Sequence, residues 1–505
     1  MRGFAAGAAA ISLEPPLGLP MVGFVRRHAP AQWSVGDLEA TALALEADGQ
    51  RAVIVGVDTL GIQAPEIDVL RDRVAAATGA AHAAVLVNFN HTHCAPPASP
   101  ALARLGGGMD AGAAPATADY ARTVADRVVE VARIAASRLE EARPAWGVGW
   151  CPESVNRREK LPNGKVILGW QPDGMVDWQV PVLGLQRRDG SSVATVVGYG
   201  CHTVAVGPDV LAYSADYAGP MREAVRAWTG GQCVFLQGAG GNVLPRVAFA
   251  GDLEPARALG RRLALAALAG LADRPAWPTR YRRSDDGSVT PFHLYRPEVL
   301  DDDAPALAAA EIGVEFPLQE LPTREEIAAE RERAQARVDA ARARGAGDAE
   351  LNTIRYDLVW AQATEAAILA GAAPTSVPGP VHALRIGDGA IVTGPGEIFS
   401  EIGLAVRERS PAAVTLYAGY TNGLISYFPA ASAYPDGGYE PAYGNRSFAL
   451  PAQVTPECDR LLVRAGLDAL GRCFEGHPPI DDDLLASGEP PAVPGPVLPQ
   501  RPALS

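Results

Sequence analysis

Two histidines two positions apart, His91 and His93, close the apolar run Val85-Leu86-Val87-Asn88-Phe89, and a third, His202, closes the run 193–200. Imidazole is a common zinc ligand, and residues i and i+2 of a strand share one face, so His91 and His93 can reach one point above a sheet edge. Two ligands do not close a zinc shell, however, and a packed ring beside a solvated one accounts for a His-x-His pair as well. Glu397, in Gly394-Pro395-Gly396-Glu397, offers the carboxylate that a pair of histidines lacks, giving three ligands with room for water. The same residue also suits a helix N-terminus over 398–407. Asp58, after the run 51–57, reads either as a site residue at a strand end or as a cap. The turn Gly238-Ala239-Gly240-Gly241-Asn242-Val243-Leu244-Pro245 can point amides at an oxyanion or be a plain tight turn; it lacks the Lys-Ser/Thr ending of a P-loop. Tyr427, Tyr434 and Tyr439, set among glycines, suggest a lined pocket, although packing is the ordinary role of each. The other histidines (His28, His82, His293, His382 and His477) lack comparable settings.

For these groups to meet, the elements that carry them must end at one place. The run 51–61, a helical pattern over 67–78 and the run 85–89 read as strand, helix, strand, which requires a parallel crossover. In open α/β sheets ligands lie at the carboxyl ends of such strands. A helix is expected over 118–143 with Pro144 as its stop, and strands over 146–151, 165–171, 180–187, 193–200 and 233–237. Arg188-Asp189-Gly190 makes a hairpin turn between two of them, and a helix follows over 255–272. Thr323 and Glu326 form a capping box, and a second helix from Asp348 to Gly371 follows the turn 344–347. The expected architecture is α/β: a mixed-sheet core with an inserted αα-hairpin at about 323–371, in one domain over 1–477, with a Pro-rich acidic tail over 478–505.

Composition narrows the function. The 505 residues exceed the ~250–300 at which single cores stop growing, so one elaborated domain or two can form. With 48% hydrophobic and 20% charged residues, and no apolar run near the ~18 residues of a membrane span, no transmembrane segment is expected. Against 58 Asp+Glu there are 44 Lys+Arg, a net charge of −14 that repels phosphates, so nucleic acid is an unsuitable partner. Six dispersed cysteines without a Cys-x-x-Cys pair suit free thiols, and the N-terminal run is Ala-rich and passes into a strand; a cytoplasmic location is expected. A homo-oligomer remains an open option.

The order of these pieces resembles the catalytic domain of the neutral (alkaline, non-lysosomal) ceramidases. That family carries His-Thr-His, a later histidine, Pro-Gly-Glu and a pair of tyrosines, here His91-Thr92-His93, His202, Pro395-Gly396-Glu397, and Tyr427 with Tyr439. Asn156-Arg157, Asp177, Ser214-Ala215-Asp216 and Gly241-Asn242-Val243-x-Pro245 extend the resemblance over nearly the whole chain. It implies one Zn²⁺ held by His91, His202, Glu397 and Tyr427, with His93 and Tyr439 beside the metal as catalytic groups. It also implies hydrolysis of a linear amide, the partner being a small-molecule amide substrate. Three departures bear on the substrate. His-Thr-His is followed by Cys94-Ala95-Pro96-Pro97 instead of the family's Ser-Gly-Pro-Gly-Gly, Leu244 stands where the family has a serine, and the family's C-terminal β-sandwich is not matched. These favour a small soluble or acylated amide over membrane ceramide. The rival expectations are a ceramidase or N-acyl lipid amidase, a zinc-containing protein without catalysis, and a phosphate or sulfate ester hydrolase.

Overall fold

The computed structural model describes residues 3–27, 29–99, 102, 114–272, 274–289, 292–300 and 304–474. The tail expected over 478–505, His28 and His477 lie outside the described residues.

Three mixed sheets form the body. The first runs Val85–Phe89, Gln50–Val57, Glu39–Ala47, Ala5–Ser12, Glu140–Glu141; the second Gln232–Gln237, Ser192–Tyr199, Gln179–Gln186, Arg143–Trp150; the third Leu307–Pro317, Ser376–Ile386, Gly389–Thr393, Thr415–Ala418. Each contains a parallel pair: Gln50–Val57 with Val85–Phe89, Ser192–Tyr199 with Gln232–Gln237, and Gly389–Thr393 with Thr415–Ala418. Bridges Asn88↔Thr421 and Gly238↔Ala418 tie the ends of these pairs together. The mixed α/β core read from the sequence is therefore what the chain forms.

Period-two alternation explains how the sheets share one core. Leu43, Ile54 and Leu86 of the first sheet, Val196, Val234 and Leu236 of the second and Leu384, Ile391 and Leu416 of the third pack together in one buried cluster. Their sequence neighbours face helices. Ala42, Val53, Val55 and Val87 meet the stripe Val124, Val128, Val131 and Ala135 of Ala114–Ser137, whose i, i+3, i+4 spacing makes one apolar side. Helices Ala218–Thr229 and Glu254–Leu271 cover the second sheet through Met221, Val225, Leu259 and Leu263. Helices Arg324–Ala343 and Asp348–Leu369 follow one another across a short turn. They pack through Ile327 on Trp360 and Ala361, and Ala334 and Val338 on Leu358, with the Thr323–Glu326 capping box in place. No helix among the described residues is long and apolar enough to cross a membrane, and all six cysteines are free and buried.

One boundary differs from the sequence reading. The helix expected over 118–143 ends at Ser137, and Pro144 sits inside the strand Arg143–Trp150. That strand is the edge of its sheet, where proline's missing N–H breaks no ladder.

Candidate active site

The carboxyl ends of the three parallel pairs converge, and with them the residues singled out in the sequence. The approach of His91 to His93 is not the expected one. The strand ends at Phe89, and His91 turns through φ 62°, in the left-handed region, so a turn and not strand alternation brings the two rings to 4.9 Å between centroids at a near-perpendicular angle. His91 is anchored by Nδ1, 2.8 Å from the Leu60 carbonyl, and His202 by Nδ1, 2.7 Å from the Gly240 carbonyl. A carbonyl can only accept, so each Nδ1 carries the proton and each Nε2 keeps its lone pair. The glycine-rich turn thus orients His202. Two of its amides are committed elsewhere, Gly241 N to the Ile398 carbonyl at 2.7 Å and Gly238 N to the Tyr199 carbonyl at 2.9 Å.

Glu397 follows the third-sheet strand Gly389–Thr393 and lies in a separate two-stranded sheet. Glu397–Ile398 pairs in parallel with Tyr427–Phe428, with Glu397 opposite Tyr427. Its Oε2 lies 2.9 Å from His202 Nε2 and 3.4 Å from His91 Nε2, and makes no hydrogen bond among the described residues. Burial, reinforced by Arg157, keeps the His202 ring down at about 4, and so neutral. A carboxylate oxygen facing two nitrogen lone pairs is repulsive unless a cation lies between them, and the donor set of imidazole and carboxylate suits a divalent transition ion such as zinc. The described residues thus fit a metal. His91, His93 and His202 also group with ligand atoms within 4.8 Å of one another.

His93 and the tyrosines border this centre. Both His93 ring nitrogens are buried without a hydrogen-bond partner, and Phe24 packs on the ring at 4.8 Å. Gly23 lies so close that a Cβ there would meet the ring at 2.5 Å, at a φ of 101° that disfavours any side chain. The Tyr427 and Tyr439 rings stand 5.6 Å apart, edge to face. Burial raises the Tyr439 hydroxyl above its usual pKa, so it keeps its proton. His93, His202, Tyr427 and Tyr439 line a cavity of about 650 Å³ whose further walls include Met21, Val22, Phe24, Leu168, Leu244 and Phe249.

Arg157, which the sequence shows only as part of the Asn156-Arg157 motif, has a role that no signal local to it reveals. Its guanidinium is buried beside His202 Nε2 at 3.1 Å and donates to the Tyr427 hydroxyl at 3.2 Å. Glu440 balances it, accepting from Arg157 Nε at 2.7 Å and from Arg158 Nη1 at 2.7 Å. The only sequence signal was Glu440 following Tyr439; the partners are about 280 residues apart along the chain. Asp58 proves to be a buried brace, accepting from both Arg222 Nη atoms at 2.7 and 2.5 Å and from Asn90 Nδ2 at 2.8 Å, next to the His91 turn. His382, unremarkable in the sequence, is also buried among charges, hydrogen-bonded to Glu311 Oε2 at 3.0 Å.

No family model matches the chain, and no curated protein is similar to it. Solved structures are. A ceramidase complexed with C2 superposes with a TM-score of 0.63 at 17% identity, covering 95% of this chain and 78% of that one. The neutral ceramidase from Pseudomonas aeruginosa gives a TM-score of 0.61 at 18% identity, covering 96% and 78%. The likeness is one of fold: this chain is ceramidase-like in its architecture from one end of the described residues to the other.

Proposed function

We propose that this protein is a zinc-dependent amidohydrolase that cleaves the linear amide of a small or acylated substrate with water. The observation that carries the reading is the Glu397 oxygen, held 2.9 and 3.4 Å from the Nε2 atoms of two imidazoles beside the cavity. His91, His202 and Glu397 hold the ion, with Tyr427 as the fourth ligand. When bound, it supplies Lewis-acid activation of water and of the scissile carbonyl at neutral pH.

The chain's own groups do the rest. The amide lies in the cavity with its carbonyl towards Tyr439, whose retained proton is donated to the oxygen as negative charge develops there, a contribution of about 3–4 kcal/mol for one such donor. His93, kept neutral by burial and with neither ring nitrogen hydrogen-bonded among the described residues, takes up the proton that the attacking water gives up, hydrogen-bonds the same oxygen, and passes that proton to the departing nitrogen. The C–N bond breaks, a C–O bond forms, and the two products are a carboxylic acid and an amine. Arg157, fixed by Glu440, keeps the Tyr427 oxygen oriented.

Apolar walls from Met21, Phe24, Leu168 and Phe249 favour a second reading within this chemistry, an N-acyl lipid amidase of the ceramidase kind. Elemental analysis of wild type and His202→Ala tests the first claim: about one zinc per chain, lost in the variant, is expected, and metal-free wild type sinks it. Rates on a short N-acyl amide and on detergent-dispersed N-acyl sphingoid amides then separate the two substrate readings. A metal-loaded protein inert on both would be a binding protein.

A further inference from the structure

The Tyr439 hydroxyl is 2.9 Å from Ser447 Oγ, and either atom of that pair can be the donor. If Tyr439 gave its proton to Ser447, it would have none for a substrate oxygen. The next neighbour decides. Tyr356 donates its hydroxyl proton to Ser447 Oγ at 2.6 Å, and Ser447 has no further hydrogen-bond partner among the described residues. A serine hydroxyl has a single proton. With its oxygen accepting from Tyr356, the one protein acceptor left for that proton is the Tyr439 oxygen.

We infer that Tyr356 and Ser447 are positioning residues forming a directional relay, Tyr356 to Ser447 to Tyr439, that leaves the Tyr439 proton aimed into the cavity. All three side chains line that cavity. Hydrogen bonds in a chain also polarise one another, so the terminal Tyr439 O–H becomes the stronger donor.

The fold invests in this arrangement from two distant segments. Tyr356 rides on the helix Asp348–Leu369, and Ser447 on the 3₁₀ turn Gly444–Phe448. Arg446, next to Ser447, donates to Asp357, next to Tyr356, at 2.6 Å, and its guanidinium lies 4.4 Å over the Trp360 ring. Trp360 Nε1 donates to the Leu450 carbonyl at 2.8 Å. The turn is thereby clamped to the helix on both sides of the relay, which gives that helix a task in the site beyond packing.

The inference rests on the amidase reading, and the test separates the two. Zinc-loaded full-length protein is assayed with N-hexanoyl para-nitroanilide as Tyr439→Phe, Ser447→Ala, Ser447→Thr, Tyr356→Phe and the double variant Tyr439→Phe/Ser447→Ala. Ser447→Ala should lower kcat about tenfold with KM and metal content unchanged, the loss of one hydrogen bond expressed in the transition state. Ser447→Thr, which keeps the hydroxyl, should restore most of the rate, and Tyr356→Phe should cost about threefold. In the Tyr439→Phe background Ser447→Ala should change nothing further, because the relay acts only through Tyr439. Ser447→Ala at full rate beside a slow Tyr439→Phe overturns the relay alone, as does an equal Ser447→Ala loss in both backgrounds. Tyr439→Phe at full rate overturns the role of Tyr439 and the relay while leaving the amidase reading standing, and an inert wild type overturns the amidase reading and the relay with it.

Discussion

The molecule gathers two clusters of the same residue types, one buried and one partly exposed, and they differ in how their charge is met. In one, His91, His202 and Glu397 gather with Arg157 close by; in the other, His382, His82 and Glu311 gather with Arg71. Arg71 donates directly to Glu311 at 2.8 Å, His382 Nε2 lies 3.0 Å from the same carboxylate, and His382 Nδ1 is 3.2 Å from Thr393 Oγ1. Arg157 instead spends its ion pair on Glu440, leaving the Glu397 oxygen without a hydrogen bond beside the cavity. A cluster closed on itself stabilises a fold; one left with facing acceptors is built for something absent from the chain.

The sharpest way to break this contrast is to mutate matching members. Glu397→Gln should remove bound metal and lower activity more than about 10³-fold, since on the proposed function the metal would supply the activated water. His382→Ala should keep full metal content and activity within about threefold, losing instead about 1–3 kcal/mol of stability for the partners it leaves unmet. Elemental analysis, turnover and chemical denaturation of both proteins check this, and metal loss in His382→Ala would erase the distinction. Tyr439→Phe should fall between them, retaining zinc while kcat drops about 10²–10³-fold.

Smaller effects test the arginines. Glu440→Gln leaves Arg157 and Arg158 as buried cations without their shared counter-charge, and should cost about 3–5 kcal/mol in urea unfolding. A cost under about 1 kcal/mol would mean that Arg157 has found Glu397 as a substitute, making the two clusters alike.

The smallest effect is one of pH. The His382 hydrogen bond, helped by Arg71 and opposed by partial burial, holds the Glu311 carboxyl at about 2, against a usual 4.5. Because the folded pKa is the lower one, its stabilisation is complete above about pH 4.5 and disappears as pH falls towards 2. Melting temperatures of wild type and Glu311→Gln should therefore differ at neutral pH and converge in that acid window. A constant difference would show that Glu311 does not titrate as an ion pair.

Much of this was legible in the sequence because it is local. Runs such as 51–57 and 85–89 with a helical stretch between them specify a parallel crossover, and the Thr323–Glu326 cap marks its helix, because strand and helix periods and cap chemistry act over a few residues. That His91, His202 and Glu397 follow strands was readable for the same reason. The turn at His91 was not, because a left-handed φ at a non-glycine residue is enforced by surroundings, here the Leu60 carbonyl and the Asp58–Asn90 brace. Pro144 misled because a proline next to a helical pattern reads as a stop, and only the sheet order shows that its strand is an edge.

The sequence by itself thus determined the element types, the mixed α/β class and the strand-end residues, all set by spacing within a few positions. Only the tertiary structure decided that three sheets would join their parallel ends, that Arg157 would answer to Glu440 and not Glu397, and that Tyr356 would reach Ser447 across some ninety residues of chain. Those outcomes depend on which buried charges and hydroxyls meet across large sequence separations. No periodicity encodes such meetings; the packing of apolar faces between the sheets brings them about.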